Sequence, residues 1–214
     1  MYILSKELFF PSAKFADADG LLAVGGDLST ERLLLAYSSG IFPWYNEDEP
    51  ICWYSPSPRF ILFPDEVNIS KSMKTVINTG IFSFTINRAF SDVMRNCKMV
   101  ERKNQEGTWI SDGILDAYDK LHSLGFAHSA EAWRNGELVG GLYGIRMGKV
   151  FFGESMFSKI SNAGKFAFIK YVQYLQKQQV QVIDCQVYSS HLESMGARMI
   201  DRESFLHLLT KLIN

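Results

Sequence analysis

Three strand patterns separated by two turn signals constrain the fold of this chain more than any other feature. Ala127–Arg134 has the composition of a strand, and Asn135-Gly136 behind it favours a two-residue hairpin turn. Leu138–Met147 returns from that turn, and Gly148 leads into a third strand at Lys149–Met156. The segment therefore predicts a three-stranded antiparallel meander, on which the rest of the chain must pack.

The third strand carries a carboxylate inside an apolar, aromatic run, Phe151–Phe157. Strict alternation predicts that Glu154 shares one face with Phe152 and Met156, whereas Phe151 points to the other face. A buried carboxylate without a partner is costly or takes up a proton. Glu154 therefore either has a structural partner or works at a functional site.

A second strand pattern, Val182–Val187, is interrupted in the same way by Asp184 and Gln186. Because these two residues are two apart on a strand, we expect them to share a face, with Cys185 on the opposite one. Both acids could instead pair with structural Arg or Lys side chains or with backbone N–H groups. The residue pattern alone leaves both readings open.

Cysteine and histidine usage argues against a metal site. The three cysteines are an odd number without Cys-x-x-Cys or metal-ligand spacing, and the four histidines form no motif. We predict reduced thiols, no bound metal and a cytoplasmic protein. No apolar run is as long as a membrane span, and the first residues lack the features of a signal peptide.

The net charge of −1 conceals an uneven distribution. Residues 1–69 carry four Lys and Arg against ten Asp and Glu, whereas residues 70–103 carry seven against two. The basic segment is the candidate surface for a polyanion such as nucleic acid. Solvated helix charge explains it equally well. The residues that we assign to weak contacts with a nucleic-acid backbone are Lys71, Lys74, Arg88 and Arg95.

The first part of the chain combines turn signals with aromatic segments. Residues 1–28 are predicted to be irregular, and a helix is predicted from Ser29, its N-cap, to Gly40. Two segments rich in Trp, Tyr and Pro follow, Gly40–Tyr45 and Cys52–Arg59. Their stiff backbone could present aromatic rings to a nucleobase, or the rings could simply fill a loop core.

The element order of the second half is that of a known acyltransferase fold. A helix, the meander, a long helix, a strand, a short helix, a short strand and a terminal helix follow one another, as in the GNAT acyltransferases. In GNAT acetyltransferases the loop before the long helix carries an Arg/Gln-x-x-Gly-x-Gly/Ala signature for the pyrophosphate of coenzyme A. The corresponding loop, Ser158–Lys165, lacks that signature, which disfavours an acyl-CoA donor.

We therefore predict an α+β protein of two domains. A small N-terminal α/β domain with the aromatic platform is expected over residues 1–90. A GNAT-like catalytic domain with a mixed, mostly antiparallel sheet is expected over residues 91–214.

Seven collinear motifs make the chain resemble the bacterial leucyl/phenylalanyl-tRNA–protein transferase family over nearly its whole length. The motifs are Gly20-Leu21-Leu22-Ala23-Val24-Gly25-Gly26-Asp27-Leu28, Gly40-Ile41-Phe42-Pro43-Trp44, Trp53-Tyr54-Ser55-Pro56, Gly107-Thr108-Trp109-Ile110, Leu138-Val139-Gly140-Gly141-Leu142-Tyr143-Gly144, Phe152-Gly153-Glu154-Ser155-Met156-Phe157-Ser158 and Ile183-Asp184-Cys185-Gln186.

The resemblance implies a reaction. The family moves Leu or Phe, and less often Met, from aminoacyl-tRNA to the α-amino group of proteins that begin with Lys or Arg, which marks them for N-degron proteolysis. An aminoacyl ester is already activated, so we expect no cofactor and no metal. We also expect no membrane association and a monomer. The enzyme must orient the two reactants, handle the amine proton and stabilise the oxyanion.

The resemblance also implies roles for particular residues. The side chains that would hold the 3′-terminal adenosine are Trp44 and Trp109. The aminoacyl side-chain pocket would be lined by Leu142, Phe151, Phe168, Tyr171 and Ile183. The catalytic residues would be Asp184, Gln186 and Glu154, with Glu154 also binding the acceptor.

Two routes for the amine proton and two other functions stay open at this point. Asp184 could receive the amine proton beside Gln186, or the 2′ hydroxyl of the adenosine could carry it. The chain could instead be an acyl-CoA-dependent N-acetyltransferase of the same fold. It could also be a non-catalytic module that binds the 3′ end of tRNA.

Overall fold

The computed structural model describes residues 1–100 and 110–213, and eleven strands and seven helices lie within these ranges. The strands are β1 (Tyr2–Leu4), β2 (Leu21–Gly25), β3 (Phe42–Pro43), β4 (Cys52–Tyr54), β5 (Arg59–Leu62), β6 (Ser83–Ile86), β7 (Ala127–Arg134), β8 (Glu137–Met147), β9 (Val150–Ser158), β10 (Val182–Gln186) and β11 (Arg198–Ile200). The helices are α1 (Thr30–Ser38), α2 (Lys71–Asn78), α3 (Phe90–Lys98), α4 (Asp112–Ser123), α5 (Ala163–Lys177), α6 (Ser190–Glu193) and α7 (Arg202–Leu212).

A seven-stranded sheet forms the larger part of the fold, in the order β11-β5-β10-β9-β8-β7-β6. Neighbouring strands are antiparallel except for β9 and β10, which are parallel. The predicted α+β class, the meander β7-β8-β9 and the element order after it are confirmed.

Side-chain caps explain where several helices begin. The Ser111 hydroxyl accepts a hydrogen bond from the Ile114 N–H at 3.2 Å, and Asp201 accepts one from the Ser204 N–H at 2.8 Å. Each bond satisfies one of the N–H groups that the first helical turn leaves without an intrahelical partner. α4 and α7 therefore begin directly after their capping residues.

The prediction that residues 1–28 are irregular is wrong for two segments. β1 and β2 pair in parallel, and β2 also pairs with β4 in a four-stranded sheet of order β1-β2-β4-β3. Strands this short have too few residues to show a periodic pattern. Whether such a segment is a strand therefore depends on the strands with which it pairs. The Trp53 indole N–H donates to the Gly25 carbonyl at 2.9 Å and fastens this sheet.

The domain boundary near residue 90 stays a prediction, but two strands that precede it belong to the larger sheet. β5 pairs with β10 and β11, and β6 pairs with β7 at the opposite edge. The chain therefore contributes to the seven-stranded sheet from residue 59 onward.

Two hydrophobic clusters cover the two faces of the seven-stranded sheet. The first joins Phe152 to the N-terminal sheet and to Tyr37 of α1 and Tyr118 of α4. The second joins Phe151 to α5, including Phe168. Adjacent residues of β9 thus face different clusters, as alternation predicts.

Alternation does not hold along the whole of β9. Tyr143 pairs with Ser155 and Gly144 with Gly153, so Glu154 is an extra residue in a β-bulge. A Cβ on Gly144 would lie 2.1 Å from the Phe152 carbonyl oxygen, so only glycine fits there. Because of the bulge, Met156 packs against the cluster of Phe151, and its predicted place beside Phe152 is wrong.

Candidate active site

Glu154 lies at the bulge of β9, partly buried, and contacts side chains from three other elements. The Tyr37 hydroxyl of α1 donates to Glu154 Oε1 at 2.7 Å, and the Tyr118 hydroxyl of α4 lies 3.2 Å from Oε2. The two hydroxyls also hydrogen-bond to each other. Gln186 Nε2 of β10 donates to Oε1 at 2.9 Å. Every one of these contacts is to a neutral group.

The surroundings of Glu154 favour its neutral form. Burial raises its pKa from the ordinary value of 4.5 to about 7, against the opposing effect of the hydrogen bonds from Tyr37, Tyr118 and Gln186. The negative charge of Asp184 adds to the increase. A carboxyl group with a pKa near neutrality can both give and take a proton under physiological conditions.

Asp184 is the second acid, and it is paired with a cation. The Arg59 guanidinium donates to Asp184 Oδ1 at 2.8 Å and to Oδ2 at 2.7 Å, in a bidentate pair. Both side chains are fully buried. Arg59 also donates to the Gly40 carbonyl and lies over the rings of Phe42 and Phe205. Asp184 is therefore held rigidly by a cation.

Gln186 follows Asp184 in an unusual backbone conformation. Its φ is +64°, in the left-handed region, and the pairing of β10 with β5 shifts register between Asp184 and Gln186. The Gln186 N–H donates to Asp184 Oδ1 at 2.9 Å, which holds this turn of the chain. The turn directs the Gln186 side chain to Glu154.

The prediction that Asp184 and Cys185 face opposite sides of the sheet agrees with the structure. Asp184 pairs with Arg59 on the side of the first cluster, whereas Cys185 packs against the second cluster. The Gln186 side chain reaches Glu154, also on the side of the first cluster, and lines one cavity together with Cys185. Burial raises the pKa of the Cys185 thiol, so this cysteine stays a thiol and is a poor nucleophile.

The cavity has a volume of about 400 Å³ and opens where β9 and β10 stop pairing, after Phe152 and Asp184. Glu154 and Gln186, together with Ser155 and Ser189, provide its polar wall. Four of the five residues assigned to the aminoacyl pocket are among its lining residues: Leu142, Phe151, Phe168 and Ile183.

The fifth assigned residue, Tyr171, does not line the cavity. It is buried behind Phe151, edge-on to that ring with 5.0 Å between the ring centroids. Met156 and Leu192 are apolar lining residues that the sequence analysis did not assign. Among the described residues, no group of three or more His, Cys, Asp or Glu side chains could hold a metal ion.

Comparison with known proteins assigns the chain to a family. Residues 61–210 match the sequence model of the leucyl/phenylalanyl-tRNA protein transferase, and residues 26–57 match that of its N-terminal domain. The leucyl/phenylalanyl-tRNA–protein transferase of Flavobacterium johnsoniae is 56% identical over 98% of this chain and 99% of its own length. That of Syntrophobacter fumaroxidans is 54% identical over 99% of this chain and 90% of its own.

The chain belongs to the leucyl/phenylalanyl-tRNA–protein transferase family. The resemblance noted from the seven motifs is thereby confirmed, and so is the class of enzyme, an aminoacyltransferase. Among solved structures, L-PGS from Bacillus licheniformis matches 88% of this chain and 64% of its own, with 14% identity and a TM-score of 0.45.

Of the two tryptophans assigned to adenosine in this transferase family, the structure describes Trp44. Trp44 follows β3, is 38% exposed, and lies edge-on to Tyr54 with 5.6 Å between the ring centroids. It is not among the lining residues of the cavity. Trp109 lies outside the described residues. The assignment of both to adenosine stays a prediction.

The four basic residues assigned to the tRNA backbone are all exposed. Lys71 and Lys74 lie on α2, Arg88 lies over the ring of Trp133, and Arg95 pairs with Asp92 one turn away on α3. Arg95 is thus partly neutralised, and Lys71 and Lys74 are the better probes of this surface. None of the helices in the described part of the chain is long and apolar enough to cross a membrane.

Sequence reasoning missed three residues around Glu154 and Asp184, namely Tyr37, Tyr118 and Arg59. The two tyrosines lie on the buried sides of their helices, α1 and α4. A signal existed, because a buried tyrosine hydroxyl needs a hydrogen-bond partner. Arg59 opens the otherwise apolar run Arg59-Phe60-Ile61-Leu62, where a charge must also be paired.

Proposed function

We propose that this enzyme transfers Leu or Phe, and less Met, from aminoacyl-tRNA to the α-amino group of proteins beginning with Lys or Arg. The modified proteins would then enter N-degron proteolysis. Family membership supports the transfer from tRNA to protein. The observation that carries the site is the cavity in which apolar walls meet the hydrogen-bonded pair Glu154 and Gln186.

The apolar part of the cavity suits the side chain of the amino acid being transferred. Leu142, Phe151, Phe168 and Ile183 line a volume that can hold a leucine or phenylalanine side chain. The ester carbonyl would then lie toward the polar wall. In this arrangement Glu154 faces the reacting amine and ester, and Gln186 orients Glu154.

Asp184 has an indirect role in the proposal. Its carboxylate is occupied by Arg59 and by the Gln186 N–H, so it positions Gln186. Substrate assistance by the 2′ hydroxyl of the adenosine is compatible with this arrangement. We further propose that the enzyme works as a monomer in the cytoplasm, where charged tRNA is available.

Two alternatives have less support. In the acyl-CoA hypothesis, the N-terminus of α5 would hold a pyrophosphate. The Ser158 hydroxyl already accepts a hydrogen bond from the Gly164 N–H at 3.0 Å in that first turn. A tRNA-binding module without activity is disfavoured because the chain belongs to a family of aminoacyltransferases.

One assay separates these possibilities. Labelled Phe-tRNA is mixed with the enzyme and one of two peptides that differ only in their first residue, Arg or Glu. We expect label in the Arg peptide and much less in the Glu peptide, with loss of transfer after RNase treatment. Binding of Phe-tRNA without any product would support the binding module, and labelling by acetyl-CoA would support the acetyltransferase.

The aromatic platform makes a separate prediction. Trp44→Ala should weaken donor use, because stacking on a base contributes about 1–3 kcal/mol, which is roughly 5- to 150-fold in KM. Trp44→Phe is the control and should retain most of the affinity. An unchanged KM for Phe-tRNA in Trp44→Ala would exclude this residue from adenosine binding.

The basic surface also makes a prediction of its own. Charge reversal of Lys71 and Lys74 should reduce the slope of log affinity for tRNA against log salt by about 0.7–0.9 per lost contact. Lys211→Glu on α7 is the control outside the basic segment. If the reversal at residues 71 and 74 leaves the slope unchanged, the segment is ordinary solvated helix charge.

A further inference from the structure

The oxygen atoms of Glu154, Tyr37 and Tyr118 form a closed set of contacts. Tyr37 Oη lies 2.7 Å from Glu154 Oε1, and Tyr118 Oη lies 3.2 Å from Glu154 Oε2. The two hydroxyls hydrogen-bond to each other and complete the ring. Three contacts between oxygen atoms therefore need three protons if each is to be a hydrogen bond.

An ionised Glu154 cannot supply the third proton. Burial raises the pKa of both tyrosines well above the usual range, so each hydroxyl keeps one proton and has only one to donate. With a carboxylate, two protons serve three contacts, and one pair of oxygens faces each other without a proton between them. Such an unmade contact in a buried site is costly.

A neutral Glu154 satisfies the whole ring. Its carboxylic proton goes from Oε2 to Tyr118 Oη, the Tyr118 proton goes to Tyr37 Oη, and the Tyr37 proton goes to Glu154 Oε1. All three hydrogen bonds then run in the same direction around the ring. The hydrogen bond from Gln186 Nε2 to Glu154 Oε1 is compatible with this arrangement, because Oε1 acts only as an acceptor in it.

The neighbouring charges act in the same direction. The negative charge of Asp184 on β10 favours the neutral form, and Arg59 on β5 is already bound to that carboxylate. Tyr143 on β8 faces Tyr118, and Cys185 on β10 is a neutral thiol. Within the described residues, no cation forms an ion pair with Glu154.

We propose that the free enzyme holds Glu154 as a neutral carboxylic acid, closed into a ring with the positioning residues Tyr37 and Tyr118, and that this proton goes to the leaving 3′ oxygen of the donor. The catalytic half of the proposal rests on the proposed function. The state of the free enzyme does not.

The step balances without an added reactant. The neutral acceptor amine attacks the ester carbonyl carbon, the bond from that carbon to the 3′ oxygen breaks, and the oxygen takes the Glu154 proton. The nitrogen of the new amide then gives its extra proton to the Glu154 carboxylate. Glu154 returns to the neutral form, and the ring closes again.

Infrared spectroscopy of the free enzyme tests the first half directly. The carbonyl stretch of a protonated carboxylic acid should be present at pH 6, absent in Glu154→Gln, and lost in wild type as the pH rises through about 7. Its absence from the wild-type spectrum at pH 6 would overturn the proposal. This measurement needs neither tRNA nor activity, so its outcome is independent of the proposed function.

Tyr118→Phe tests the ring itself, because the two possible roles of this hydroxyl predict opposite shifts. If Tyr118 accepts the Glu154 proton, its loss removes the partner of the neutral form, and the infrared midpoint should fall by about one pH unit. If Tyr118 merely donates to a carboxylate, the midpoint should rise, which would refute the ring. Tyr174→Phe, on α5 away from Glu154, is the matched control.

The transfer reaction tests the second half. The falling limb of the kcat/KM profile should follow the infrared midpoint and move with it in Tyr118→Phe. Glu154→Gln should lower kcat by about 100-fold or more, as expected for loss of an acid–base group, with donor affinity unchanged. A wild-type rate in Glu154→Gln, or a profile that stays in place while the infrared midpoint moves, would refute the role as acid.

Discussion

Asp184 and Glu154 lie on neighbouring strands of one sheet, and the protein accommodates the two acids in opposite ways. Asp184 is completely buried against a guanidinium that is itself bound to a carbonyl and two aromatic rings. Glu154 lies at the cavity, and its hydrogen-bond partners among the described residues are all neutral. The first acid is held by a cation and supports the backbone. The second can change its protonation state where substrates would bind.

The largest effect should follow from breaking the charged pair. Asp184→Ala leaves a buried, unpaired Arg59 and should lower the free energy of unfolding by about 3–5 kcal/mol. The control is Glu66→Ala, which removes the exposed partner of Arg198 on the edge strand of the same sheet. That loss should be about 1 kcal/mol or less. Urea denaturation measures both, and equal losses would contradict the comparison.

A smaller effect should follow from the protonation of Glu154. Its pKa of about 7 in the folded protein exceeds the ordinary value of 4.5, so the folded state binds more protons between these values. The contribution of Glu154 to stability is therefore present at low pH and is lost as the pH rises through 7, by about 3 kcal/mol.

Glu154→Gln should abolish that pH dependence, because glutamine resembles the neutral acid in shape and can both donate and accept. Measured as the difference in free energy of unfolding from wild type, the variant should gain about 2–3 kcal/mol between pH 5 and pH 8. Glu137→Gln, at the exposed start of β8, is the control. A constant difference between wild type and Glu154→Gln would show that Glu154 is ionised throughout.

The smallest effect concerns the left-handed turn at Gln186, whose N–H donates to Asp184 and whose side chain donates to Glu154. Gln186→Gly should be about 1 kcal/mol more stable than Gln186→Ala, because glycine adopts positive φ without a steric cost. Gln179 has φ of +59° and offers a matched pair of substitutions outside the site. Both Gln186 variants lack the amide, so their transfer rates should be equally low. A higher rate in the glycine variant would mean that the backbone, and not the amide, serves Glu154.

Much of the fold could be predicted because its signals are local. Asn135-Gly136, the serine and aspartate caps and the periodic apolar residues each act within a few positions of the chain. β1 and β2 could not be predicted in the same way. Their hydrogen bonds join residues about twenty positions apart, and their own residues form no pattern.

The site was harder to predict because departures from regular structure build it. Glycine inside a strand can mark a bulge, as Gly153 does in β9, but no residue type predicts that Gln186 adopts a left-handed conformation. Arg59 and Asp184 are 125 positions apart, so only the folded chain shows that they pair. The chemistry of Glu154 likewise depends on two tyrosines from helices that precede its strand.

The cavity exists because two paired strands separate, since the ladder of β9 and β10 ends at Phe152 and Asp184 among the described residues. Its width is therefore set by the course of the backbone, and the size of the side chains around it can vary. Exchanging the side chains at positions 142, 156 and 183 would change the volume of the cavity while the backbone hydrogen bonds of the sheet stay as they are. In the proposed role of the cavity, selectivity for the transferred amino acid would then be separable from the stability of the fold.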